Sequence, residues 1–268
     1  MSQPKLQLLL IDPQNDFCDL PGAALPVPGA VAGLQRVAGL IDRLGARLAG
    51  VQVTLDSHQP LHIAHPHWWQ DAAGQAPAPF TQIGVDEVAN GRWQTRDPAE
   101  RARGLAYVQA LEAGGRYRLV IWPEHCLVGG WGHGVQADVH RALNAWGRTQ
   151  GRLVDFVMKG GNPHTEHYSA LRAEVPDPQD AQTAVDARLI ARLQQADTLL
   201  VAGEALSHCV ASTLRDLLDH WPAERRQDLV LLTDCSHSVP GFEAQGEAFL
   251  AEMRAAGVRL ATSTDELG

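Results

Sequence analysis

The chain has 268 residues, enough for a substantial core, and its 45% hydrophobic and 20% charged residues without a block of like charge are those of an ordinary globular protein. A formal net charge of -9 with no Lys/Arg cluster repels phosphate backbones and anionic lipid heads, which argues against nucleic acid and against a membrane as partners. The apolar run in the N-terminal stretch MSQPKLQLLLIDPQ is too short to span a bilayer and leads into Asp12 and Asp16, so the expected location is cytoplasmic.

In chain order, apolar, β-branched or Leu-rich runs predict buried strands at 6–12, 48–56, 117–122, 153–159, 198–203, 229–234 and 258–262. Helix-period segments at 30–45, 133–148, 186–196, 210–221 and 242–257 lie between most of them. Strand alternating with helix predicts a single α/β domain over 1–268 with a parallel sheet covered on both faces. Residues 70–104, rich in Gly, Pro and Ala without a clean period, read as an elaborated insertion. Its Phe80, Ile83, Val85, Val88 and Trp93 supply apolar anchors, so the segment is expected to be ordered and to cover the site or make an oligomer contact.

In an open parallel sheet the ligand crevice lies beyond the carboxyl ends of the strands. That rule selects Asp12, Asp56, the segment after Trp122, Lys159, Glu204 to Cys209, and Asp234. Cys209 stands at the turn between a strand and a helix, where a helix N-terminus and a nearby cation favour thiolate; a small buried hydrophobe is the other reading of the position. Cys18, Cys126, Cys209 and Cys235 are far apart and lack CxxC spacing, which argues against a disulfide framework or a zinc knuckle. Lys159, before Gly160-Gly161, is either a cation delivered to the crevice or a strand-end lysine reaching water. Asp12, before Pro13, could equally cap a turn.

The run TLDSHQPLHIAHPHWW (54–69) brings Asp56, His58, His62, His65 and His67 close in sequence, and WPEHCLVGGWGHG (122–134) adds a second histidine cluster. Carboxylate and imidazole together form a ligand set for zinc, iron or manganese.

Taken together, LLLIDPQNDFC, TLDSH, WPEHC, VMKGGNPHTEHYSA, VAGEALSHCVAST and LLTDCSHSV, in this order, resemble the isochorismatase-like cysteine hydrolases, in their nicotinamidase/pyrazinamidase branch. The resemblance spans most of the chain and implies a doubly wound, Rossmann-like, mostly parallel six-stranded sheet with helices on both faces. It implies a catalytic triad of Asp12, Lys159 and Cys209, with Lys159 favouring the Cys209 thiolate and Asp12 passing the thiol proton to the departing amine. It implies a non-proline cis bond at Glu204-Ala205 and an oxyanion hole from the amides of Ala205 and Cys209. A divalent ion, zinc in the first place and iron or manganese otherwise, would be held by Asp56, His58 and His125, with His65 preferred to His62 as a further ligand or water in that place. Phe17, Trp122 and Tyr168 correspond to aromatic pocket positions suited to a flat heteroaromatic ring.

The implied activity is hydrolysis of nicotinamide or a similar aromatic carboxamide to acid and ammonia through a cysteine thioester, a step of pyridine nucleotide salvage in NAD metabolism, in an enzyme expected to be a homo-oligomer. Two departures bear on the substrate: the span from His58 to His125 is longer than in compact members, and Ser57 stands where the pattern has an aromatic. The competing readings are a cysteine hydrolase of ureido or carbamoyl compounds, which would lack the metal ligands, and a catalytically silent binding protein, which would not need all three triad residues.

Overall fold

The computed structural model describes residues 5–265. The first strand, β1 (Leu6–Ile11), is followed by α1 (Ala30–Leu44) and β2 (Leu48–Asp56). Then come the two-residue strands β3 (Trp69–Gln70), β4 (Gln82–Ile83) and β5 (Gln94–Thr95), with the short α2 (Val85–Ala89) between the last two. Next are α3 (Arg101–Gly114), β6 (Leu119–Val120), α4 (Ala137–Gln150), β7 (Asp155–Lys159) and α5 (Ala187–Leu193). The chain closes with β8 (Thr198–Gly203), α6 (Ala211–His220), β9 (Leu229–Leu232), α7 (Glu243–Ala255) and β10 (Arg259–Ala261).

Six strands form one sheet in the order β10-β9-β8-β1-β2-β7, parallel throughout. A parallel sheet needs cover on both faces, and the residues of β1 show it: all six are buried, Leu6, Leu8 and Leu10 on one face, Leu9 and Ile11 on the other. The first face packs on α1 and α4 through Leu34, Val37, Ile41, Leu143 and Trp146. The second packs on α3, α5, α6 and α7, with Val108, Leu193, Leu214 and Phe249 among the contacts. At the edge, β7 leaves Phe156 and Met158 exposed.

The strand order reverses between β1 and β8, the position at which a doubly wound sheet opens a crevice at its carboxyl end. At that point Gly203 pairs with Ile11 and takes a φ of 118°. A Cβ there would lie 1.9 Å from the Ile11 carbonyl oxygen, so only glycine lets the two strand ends meet. Gly203→Ala is expected to cost about 3 kcal/mol or more, combining backbone strain with a clash against main chain. Urea unfolding measures it, and a loss below about 1 kcal/mol would contradict the packing argument.

Two expectations change. Residues 117–122 do not join the main sheet: only β6 is extended, and it pairs antiparallel with β4. The run is apolar because Leu119, Val120, Ile121 and Trp122 are buried in the same core as Val108 and Leu111 of α3, which periodicity alone does not distinguish from a sheet strand. Helix α3 was not expected from the sequence, although Gly104, Tyr107, Val108 and Leu111 form its buried face at helical spacing. Its remaining positions mix Arg, Ala, Gln and Glu with Leu105, which blurs the contrast between faces.

The segment 70–104 is ordered. Ile83 is fully buried, and Val85, Val88 and Trp93 pack against the core. Phe80 is half exposed, its ring edge-on to Trp122 at 5.9 Å.

Candidate active site

Four strand ends deliver the site. Asp12 follows β1, Asp56 and Lys159 close β2 and β7, and Cys209 follows β8 in the π-helical turn Leu206–Val210 that leads into α6. Register fixes their proximity, since Asp56 pairs directly with Lys159 across the two strands.

The Lys159 ammonium is buried and lies 2.9 Å from Asp12 Oδ2, 3.1 Å from Asp56 Oδ1 and 3.6 Å from Cys209 Sγ. It also donates to the His167 carbonyl at 2.9 Å. Asp12 is held from its other side: Thr54 Oγ1 donates to Asp12 Oδ1 at 2.5 Å, and the Asp12 amide donates to Thr54 Oγ1 at 3.1 Å. Asp12 Oδ2 is the oxygen that faces the Lys159 ammonium.

Burial raises the Asp12 carboxyl above its usual range, against the pull of Lys159. Burial also pushes the Cys209 thiol up, and the Asp12 and Asp56 carboxylates oppose the help that Lys159 gives the thiolate. Lys159 thus favours the thiolate, as expected, but burial and the two carboxylates outweigh it. The other three cysteines are buried thiols as well: burial raises Cys18 and Cys235 to about 12 and Cys126 well above the ordinary value. Cys209 alone of the four has an ammonium at its sulfur.

Because Lys159 is the cation shared by two buried carboxylates, its removal leaves both uncompensated. Lys159→Met is expected to destabilise the metal-free protein by about 3–5 kcal/mol, read from urea unfolding. A change within about 1 kcal/mol would show that the carboxylates relax by taking up protons.

Asp56, His58 and His125 each offer a ligand atom, all within 4.8 Å of one another and all buried. The Nε2 atoms of His58 and His125 lie 3.0 and 3.5 Å from Asp56 Oδ2. The Nδ1 atoms of His58, His65 and His125 face the carbonyls of Gly160, Pro60 and Pro123 at 3.1, 3.2 and 2.8 Å. With Nδ1 of each ring donating to a carbonyl, Nε2 is the nitrogen available to a metal ion. Lone pairs converging on a carboxylate call for a cation, so the residues fit a divalent ion.

His65 and His62 separate clearly. His65 Nε2 is buried without a hydrogen-bond partner among the described residues, and its ring lies 5.3 Å from that of His58 and 5.6 Å from that of His125. His62 uses both nitrogens, with Nε2 3.1 Å from the Thr165 carbonyl and Nδ1 accepting from the Ala64 amide at 3.2 Å. Burial holds His65 down to about 3 and His62 well below its usual value, so both rings are neutral. His67 is exposed.

The aromatic residues divide between two places. Trp122 Nε1 donates to the Tyr168 hydroxyl at 2.9 Å, and both rings pack on His208, the neighbour of Cys209, at 5.1 and 5.2 Å. Phe17 instead stands edge-on to His125 at 5.5 Å. The bond Glu204-Ala205 is cis, and the His208 and Val210 amides both donate to the Ala205 carbonyl at 3.1 Å.

Sequence reasoning missed several supports. Gln14 brackets Asp56, accepting from its amide at 2.7 Å and donating to its carbonyl at 2.8 Å. His133, from the second histidine cluster, comes within 2.9 Å of Ser57 Oγ. Glu166 is buried with a raised pKa, and its carboxylate accepts from the His167 amide at 3.0 Å. A lone Gln or Glu in a loop carries no pattern that marks such a role.

No protein-family model matches the chain. It is similar along its whole length to the nicotinamidase of Escherichia coli strain K12, 27% identical over 263 residues that make up 98% of this chain and 97% of that protein. The yeast nicotinamidase bound to the inhibitor nicotinaldehyde matches with a TM-score of 0.66 at 17% identity, covering 96% of this chain and 99% of that one. The pyrazinamidase of Pyrococcus horikoshii in complex with zinc matches with a TM-score of 0.58 at 20% identity, covering 97% and 99%. The architecture is the isochorismatase-like fold.

Proposed function

We propose that this chain, a nicotinamidase-like hydrolase by fold and full-length likeness, hydrolyses nicotinamide or a closely similar aromatic carboxamide to its acid and ammonia. The observation that carries the reading is the buried Lys159 ammonium placed between Asp12 and Cys209, one strand away from a carboxylate-imidazole cluster.

In this reading Asp12 accepts the Cys209 proton as Sγ attacks the amide carbon, and Lys159 holds the sulfur's developing charge. The amides of Ala205 and Cys209 receive the oxyanion. As the C–N bond breaks, the proton on Asp12 passes to the leaving amine, so ammonia departs neutral. Water then attacks the thioester carbonyl, Asp12 takes its proton, and the acid leaves as that proton returns to sulfur.

Asp56, His58 and His125, with His65 beside them, would hold a divalent ion, zinc before iron or manganese, which when bound supplies a Lewis-acid anchor for a ring nitrogen. Trp122 and Tyr168 would stack the ring near the nucleophile, and Phe17 would border the metal side. Phe80 on Trp122 supports the reading of 70–104 as a cover, in a chain read as one domain acting in the cytoplasm as a homo-oligomer.

The test is ammonia release from nicotinamide, pyrazinamide and a set of ureido and carbamoyl compounds, with and without chelator. Hydrolysis confined to heteroaromatic carboxamides and lost with the metal is the expected result. Preference for ureido compounds, indifferent to chelator, would replace the reading with the alternative cysteine hydrolase.

A further inference from the structure

The turn that carries Cys209 is clasped by a loop from the next strand. After β9 the chain passes through His237, whose amide donates to Glu204 Oε2 at 2.9 Å and whose ring Nδ1 lies 3.0 Å from Glu204 Oε1. The His237 carbonyl accepts from the Leu206 amide at 2.7 Å, and two residues on the Val239 amide donates to Ser207 Oγ at 3.2 Å. Four hydrogen bonds thus tie residues 204–207 to 237–239, immediately before the nucleophile. Glu204 is fully buried.

The His237 ring is itself seated. It rests where Gly29 and Gly33 would carry side chains: a Cβ on Gly29 would lie 2.8 Å from its Cδ2 and one on Gly33 2.6 Å from its Cε1. A buried carboxylate gripped twice by one residue, with a slot in α1 shaped to that residue, exceeds what closing a loop requires.

We propose that Glu204 and His237 are a positioning pair that fixes the 204–209 turn, and so the approach of Cys209 and its neighbouring amides to the substrate carbonyl; this rests on the hydrolase reading above. The pair acts through the turn and does not touch the reacting atoms. Burial raises Glu204 to about 7, against the hydrogen bond and charge of His237. Asp19 and Arg36 are charged neighbours that act on His237, and Cys18 lies close enough to sense Glu204.

Four variants test the pair, each confirmed folded by circular dichroism and a thermal midpoint. In E204A, kcat should fall about 30–100-fold with KM within about threefold, the signature of a misplaced attack geometry. E204Q, whose amide can still meet both partners, should recover most of the lost rate, and H237A should fall between the two. G33A, a change that ordinarily favours a helix, should lower kcat by displacing the ring in a protein that remains folded.

Alkylation of Cys209 by iodoacetamide requires no substrate, and it should slow about fivefold in E204A as Sγ moves from Lys159. An unchanged alkylation rate together with an unchanged kcat in E204A overturns the pair. So does a loss in E204Q equal to that in E204A, because charge rather than geometry would then be decisive. Absence of amide hydrolysis by the wild-type protein would refute the hydrolase reading instead, with the alkylation rates still deciding the role of Glu204 and His237.

Discussion

Cys209→Ala should abolish amide hydrolysis, by about 10⁴-fold or more, while leaving the fold and the metal content unchanged. The side chain sits at the head of α6 with an ammonium 3.6 Å from its sulfur, and alanine fills the same backbone without new bulk. Cys235→Ala should stay near wild-type activity, because its thiol donates to Asp234 Oδ1 at 3.4 Å, behind the loop that holds His237. Mass spectrometry after iodoacetamide should find the inactivating label on Cys209. Inactivation that tracked with Cys18 or Cys235 would move the nucleophile elsewhere and dissolve the proposed triad.

The second large effect concerns the metal. His58→Ala and His125→Ala proteins that remain folded should lose nearly all of about one equivalent of divalent ion per chain, measured by elemental analysis. His65→Ala should retain the ion more weakly, since its free Nε2 faces the cluster from a greater distance. His62→Gln should keep full occupancy, because both nitrogens of that ring are already engaged with backbone groups. Full occupancy in both His58→Ala and His125→Ala would remove the site. Loss in His62→Gln equal to that in His65→Ala would show that the ring tautomers differ from those the hydrogen bonds imply.

The two effects should also separate. Cys209→Ala leaves the Asp56 cluster intact, so it should bind metal and substrate without turnover. His58→Ala leaves Asp12, Lys159 and Cys209 in place, so Cys209 should still react with iodoacetamide.

By itself the sequence determined the layered α/β class and the positions from which chemistry could come. Buried strands of a parallel sheet are apolar on both faces, so β1, β2, β8 and β9 stand out as runs, and the polar residues just past them stand out as strand ends. Asp12, Asp56 and Cys209 were visible for that reason, Lys159 as the end of the apolar run 153–159, and the histidines by their density between Asp56 and Trp68.

What the sequence left open depended on contacts between distant segments. Residues 119–122 are as apolar as a sheet strand, but they share a core with α3, and β6 pairs with β4 instead of the main sheet, a choice made by packing. How His65 and His62 differ is likewise a matter of contacts and not of spacing: each ring faces one carbonyl, and only His62 also accepts from a backbone amide. The upward push on the Cys209 thiol comes first from its burial and then from the carboxylates that share Lys159, a placement fixed only when β2 and β7 pair in register. Glu204 and His237, 33 positions apart, had no local pattern at all, and only the return of the chain after β9 placed one against the other.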